Sequence, residues 1–284
     1  MNIIEFGEIS LAFCRGIDDV TQSIGKILEK RISFFPEDKD ALILLKPNFN
    51  NDLNALFGAT TDLRVIVAVI SFLKSIGYKN IVIGDGPNVG YFHARINVIK
   101  RLAIDRLAEK FGVETIDFNF APTREVRLDN QNRVRIPAVV LDRDFFINLP
   151  KIKTHNEAQL TMCLKNLVGC LAGFDKRKVH DDIPGNILKL YRIIKPDIQI
   201  IDGLIGMEGY GPSRGVMKEL GLIIVGVDPL LTDSFCAKLV GFDYREVPYL
   251  KLAEERGLID PLHYQILDEL KIKFQLQRPE KNIL

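Results

Sequence analysis

The chain has no tryptophan, only four cysteines, four histidines and four methionines in 284 residues, and no excess of either charge. Its 38 basic side chains face 37 acidic ones, leaving a formal charge near +1 and a pI near 7.6. With no run of like charge there is no electrostatic footprint for nucleic acid, and no such partner is expected. Cys14, Cys163, Cys170 and Cys236 form no CxxC pair, which excludes a disulfide framework and a zinc knuckle. Iron–sulfur clusters usually take four thiolates, so none is expected either. Cys163 and Cys170 read as small buried hydrophobes sharing one helix face, too far apart to pair. HxxxH, HxH and HExxH are all absent, as are GxxxxGK[ST] and a dinucleotide fingerprint, so no metal site is expected and the cofactor is left unknown. No apolar run approaches the roughly 18 residues that span a bilayer, and MNIIEFGEIS puts acidic residues where a signal peptide carries basic ones. A cytoplasmic protein with no membrane partner is expected, and a homo-oligomer is left open.

What is present is a packed chain, 47% hydrophobic and 26% charged. Short apolar runs alternate with segments of helical period, which predicts an α/β fold with a largely parallel sheet flanked by helices. Strands are expected at 41–46, 80–86, 113–118, 144–150, 197–203 and 221–228. Helices are expected at 61–77, with Thr61 as cap, and at 97–112, 157–171 and 230–241. REVRLDNQNRVRIP (124–137) reads as an inserted hairpin around a polar turn. One domain over 1–284 is expected, with room for two lobes and a loosely packed tail at 272–284.

In open parallel sheets ligands sit beyond the carboxyl ends of the strands. The unusual polar residues collect there: Lys46 and Asn48 after the first run, Asp85 after the second, Lys151, Lys153, Thr154 and His155 after 144–149, and Asp202 after 197–201. Compact lysine cations suit a carboxylate or a phosphate, although each alone could simply solvate a loop. His155 precedes a predicted helix and could act as acid/base, anion donor or metal ligand, or simply cap or bridge a loop; His93 and His180 also lie in predicted loops. MEGYGPSRG (207–215) reads either as a mobile flap carrying Glu208 and Arg214 over a ligand or as a plain surface loop. Asp228 is expected to cap the helix that begins at Pro229, with Asp233 favouring that helix's dipole.

LLKPNFN, VIGDGP, INLPKIKTH followed by LKNLVG, IIDGLIGMEGYGP and VDPLLTDSFCAKLVG appear in the order found in domain-of-unknown-function family 362, which the chain resembles over roughly residues 41–256. That resemblance implies no particular reaction. Many members carry ferredoxin-type cysteine clusters, which this chain lacks. The chain is more remotely similar to the N-terminal domain of the nickel-pincer lactate racemase family, in which an acid/base histidine precedes by ten residues a lysine that holds the cofactor covalently; His155 and Lys165 have that spacing. The departures are NEAQLTMCL in place of a glycine-rich link, Lys46-Pro47-Asn48 in place of DxTRP, and Asp85 in place of an upstream histidine.

These readings converge on a small anionic metabolite held at the strand carboxyl ends and acted on by proton transfer, isomerase/racemase-like or lyase-like. Lys46, Lys151 and Lys153 would neutralise the anion, Asn48 and Asn166 orient it, and His155, Asp85 and Lys165 supply the chemistry. A non-catalytic ligand-binding or regulatory protein is the alternative, and an iron–sulfur or redox accessory protein the third. If 156–165 were one straight helix, about 15 Å would separate the His155 and Lys165 backbones. For the two to share a ligand, the chain from Asn156 to about Leu160 must loop back.

Overall fold

The computed structural model describes residues 2–259, 263–268, 270–271 and 274–279. The strands are β1 (Asn2–Phe6), β2 (Ile9–Phe13), β3 (Ile43–Pro47), β4 (Ile81–Asp85), β5 (Glu114–Asp117), β6 (Thr123–Arg127), β7 (Arg133–Pro137), β8 (Phe145–Leu149), β9 (Lys151–His155), β10 (Gln159–Thr161), β11 (Ile198–Glu208) and β12 (Val216–Gly226). The main sheet runs β1-β2-β12-β11-β8-β3-β4-β5, parallel from β11 through β5 and antiparallel on the other side. It is the expected α/β architecture, and β6–β7 form the expected hairpin apart from the main sheet. The edge hairpin β1–β2 was not anticipated from the sequence.

The central parallel strands are buried on both faces because helices cover both, which is why ILLKP and FFINL are nearly continuous apolar runs. Alternation sorts them. Ile43 and Leu45 pack on one side with the helices Ile17–Glu29 and Leu63–Ser75, while Leu44 packs on the other with Ile183–Ile194 and Pro229–Leu239.

Several boundaries differ for physical reasons. The helix after β3 is capped by Asp62, which accepts from the Arg64 N–H, and not by Thr61, whose hydroxyl ties the Asn48 N–H to the Leu149 carbonyl. The helix expected at 97–112 is broken, since Ala103 adopts φ 55° between Val98–Arg101 and Ile104–Phe111. Segment 157–171 is not one helix. It contains β10, a single turn Cys163–Asn166 and a 3-10 segment Leu167–Cys170. The strands expected at 197–203 and 221–228 extend into one long hairpin, so MEGYGPSRG is its tip. In the tail expected to be loose, Leu276 is fully buried and Phe274 and Leu276 donate to the Leu239 and Val240 carbonyls; 272–273 and 280–284 lie outside the described residues. Among the described residues no helix is long and apolar enough to cross a membrane.

Candidate functional site

Pro150 has no N–H, and there the chain leaves its pairing with β3. β8 pairs β3 and β11; past Pro150, β9 keeps beside β11 but turns its other edge to β10. The sheet splits at its carboxyl end. A cavity of about 210 Å³ occupies the split, with Asn48, Asp85 and Gly86 on one wall, Lys153, His155 and Thr161 on the other, and residues from 165–180 closing it.

Period-two alternation puts Lys151, Lys153 and His155 on one face of β9, each at a different depth. Lys151 lies deepest, where its Nζ is 2.7 Å from Asp202 Oδ2; that carboxylate also accepts from the Asp62 and Leu204 N–H groups. Both side chains are sealed from solvent, and neither lines the cavity. Lys153 has no such counter-ion. It donates to Asn48 Oδ1 at 2.7 Å and to the Ala59 carbonyl at 2.8 Å, and burial together with the nearby Lys151 charge pulls its ammonium down to about 7.

On the opposite wall Lys46 and Asp85 neutralise each other at 2.7 Å with both side chains buried. Both Asp85 oxygens are engaged, because the carboxylate also accepts from the Phe49 and Gly86 N–H groups. Asn166 Oδ1 takes Lys46 and Asn48, and its amide donates to Asn148 Oδ1, so these asparagines fix the lysines in place. Gly169 makes room for the pair: a Cβ there would sit 2.3 Å from Asp85 Oδ1 and 2.8 Å from Lys46 Nζ.

The return of the chain through β10 brings Lys165 to the same cavity as His155, with Thr161 opposite Lys153 in the ladder. Lys165 has no hydrogen-bond or ion-pair partner among the described residues, and burial lowers its ammonium to about 8. The Thr161 hydroxyl is buried and unpartnered. His155 Nδ1 accepts from the Glu157 and Ala158 N–H groups, so in the neutral ring the proton sits on Nε2. Burial, then the charges of Lys165, His180 and Lys153, press the imidazole down to about 2. The ring is therefore neutral and offers its Nε2–H to the cavity.

Lys176, Arg177, His180, Asn50, Asn88 and Pro212 also line the cavity and were not proposed as site residues from the sequence. The triplet Lys176-Arg177-Lys178, too short to stand out as a charge run, was the available signal. Lys176 donates to Asn119 Oδ1 at 2.6 Å, and burial lowers it to about 8. Of the hairpin tip only Pro212 reaches the cavity. Thr154 faces away and donates to the Gly209 carbonyl, Glu208 accepts from the Gln277 N–H, and Arg214 is exposed beside a separate surface depression. Asp228 caps its helix as expected, but Asp233 turns from its own helix to accept from the Cys163 and Leu164 N–H groups and the Tyr249 hydroxyl.

All four cysteines are buried and free. Among the described residues no three His, Cys, Asp or Glu side chains cluster to hold a metal. The cofactor implied by the racemase resemblance fits poorly: Asp85, which stands in place of that family's histidine, has both oxygens taken, and His155 Nδ1 is spent on backbone.

A thylakoid-associated protein of Synechocystis is 28% identical over 223 residues, covering 76% of this chain and 68% of that protein. Two solved structures share part of the architecture. A Thermotoga maritima protein matches at 12% identity with a TM-score of 0.40 over 73% of this chain and 54% of its own. The lactate racemase apoprotein of Thermoanaerobacterium thermosaccharolyticum matches at 10% identity with a TM-score of 0.41 over 76% of this chain and 53% of its own. The chain thus spans about half the length of those two structures. The model of one family, described as a domain of unknown function (DUF362), matches residues 43–238, and the chain belongs to that family.

Proposed function

We propose that the protein binds a small oxyanion, a carboxylate or a phosphate, in the cavity where the sheet splits, and acts on it by proton transfer in the cytoplasm. One observation carries this reading: Lys153, Lys165 and Lys176 line the cavity without a carboxylate partner, while its one lining carboxylate, Asp85, is already neutralised by Lys46. Buried ammonium groups without a counter-ion are costly, and the protein meets that cost by lowering their proton affinity. An anion supplies the missing charge. Lys151 and Asp202 complete each other and serve the architecture; Lys46, Asn48 and Asn166 position Lys153 and Asp85.

The test is titration calorimetry and thermal unfolding of the full chain at pH 6.5 with acetate, pyruvate and phosphate, against choline chloride at equal ionic strength. Saturable binding and a rising melting temperature for at least one oxyanion are expected; ligand at 100 times its Kd adds about 2.7 kcal/mol. No heat and no shift with any of the three contradict the reading.

A further inference from the structure

The cavity holds three kinds of group, and the differences among them bear on what the anion carries. Lys153 is a positioned donor: two of its three ammonium N–H bonds are directed to Asn48 Oδ1 and the Ala59 carbonyl, which favours the ammonium form and leaves one N–H for a ligand. His155 and Thr161 are neutral. The imidazole presents Nε2–H because two backbone N–H groups occupy Nδ1, and the Thr161 hydroxyl is buried with nothing to bond. Lys165 differs from both: no hydrogen bond or ion pair fixes it among the described residues, and burial outweighs the more distant Glu157 charge that favours its ammonium. It sits on a rigid turn whose first N–H groups are bound by Asp233.

A phosphate could accept from the same donors, but it would give the Lys165 amine no C–H to act on. A neutral N–H beside a positioned ammonium suits a carbonyl oxygen next to a carboxylate, and an amine that no hydrogen bond holds suits a neighbouring C–H. We propose that the ligand is a 2-oxo acid, its carboxylate on Lys153 and Thr161, its carbonyl oxygen on His155 Nε2–H, and the carbon beyond the carbonyl deprotonated by Lys165. This rests on the oxyanion reading above.

In the step, the Lys165 lone pair takes a proton from that carbon. The C–H pair becomes the carbon–carbon double bond of an enolate, and the carbonyl π pair moves onto oxygen, where the His155 N–H bond strengthens as charge develops. The amine becomes ammonium and the ketone becomes enolate; no co-reactant is consumed. Returning the proton, or a deuteron after exchange with solvent, reverses the step. With its ammonium lowered to about 8, Lys165 keeps a fraction of amine at neutral pH.

The experiment follows the pyruvate methyl signal by proton NMR in D2O with the full chain, beside calorimetry of pyruvate, acetate and phosphate. The wild-type protein is expected to wash out the methyl protons well above the buffer rate. At saturating pyruvate the rate rises with pD through about 8. Lys165→Met is expected to weaken pyruvate binding, with Lys153 and Lys176 still in place, and at saturating pyruvate to lose about 10²-fold or more in exchange. His155→Gln, which keeps a neutral N–H, retains more exchange than His155→Phe. Exchange that survives Lys165→Met, pyruvate binding without exchange, or a borohydride-trapped Lys165 adduct overturns the assignment. If acetate and phosphate bind while pyruvate does not, the 2-oxo acid falls and the oxyanion reading stands; if none binds, both fall.

Discussion

Gln159 lies directly across the antiparallel ladder from His155, and its φ of 62° turns the chain back along the strand it has just left. This reversal sets Thr161 opposite Lys153 and delivers Lys165 to the cavity. A non-glycine residue in the left-handed region is strained by about 1–2 kcal/mol, more than the roughly 0.5–1 kcal/mol glycine loses in entropy. Gln159→Gly is therefore expected to leave stability unchanged or raise it by up to about 1 kcal/mol in urea unfolding. A helix through 157–171 would show the opposite sign, a loss of about 1 kcal/mol.

The parallel core was legible because strands buried on both faces are short and almost wholly apolar, as ILLKP and FFINL are. The reversal at 156–161 was not, because Ala158, Leu160 and Met162 carry helical propensity and no glycine marks the turn. What overrides propensity is tertiary: β10 gains a ladder with β9, and Ala158, Leu160 and Met162 are all fully buried. At the site, residue type showed that lysines gather at the strand ends. It did not show which were already paired, since the partners Asp202 and Asp85 lie far from Lys151 and Lys46 in sequence.

Lys151 and Lys153 are two residues apart on one strand face, yet their substitutions should separate. Lys151→Met strands Asp202 in the core and is expected to cost about 3–5 kcal/mol while the folded fraction still binds anion. Lys153→Met is expected to abolish anion binding with the circular dichroism spectrum intact. Calorimetry on both variants checks the contrast.

Gly169→Ala would drive a Cβ against Asp85 and Lys46. Strand backbone holds both partners, so the ion pair must open. Loss of anion binding and a drop of at least about 2 kcal/mol in unfolding free energy are expected, because a buried charge is left without its partner. Gly25→Ala, with open space around it and no left-handed backbone, serves as the control for adding a methyl group alone.

The lysines give the pH dependence a sign. The folded ammonium of Lys153 titrates near 7 and those of Lys165 and Lys176 near 8, against about 10.4 in an unfolded chain. Between pH 7 and 8.5 the unfolded state binds more protons, so the ligand-free protein gains stability as pH rises. Anion affinity runs the other way, since the cations that attract the ligand disappear. Urea unfolding and calorimetry across that window should diverge in this manner, and parallel trends would contradict it.

The central claim is that the split in the sheet is an oxyanion site, and the most direct measurement is a crystal structure grown at pH 6.5 in saturating pyruvate. The account predicts a carboxylate oxygen within about 3 Å of Lys153 Nζ, a ligand oxygen at the same distance from His155 Nε2, and Lys46 still paired with Asp85. A well-ordered cavity holding only water at saturating ligand, or the anion seated elsewhere on the chain, would contradict it.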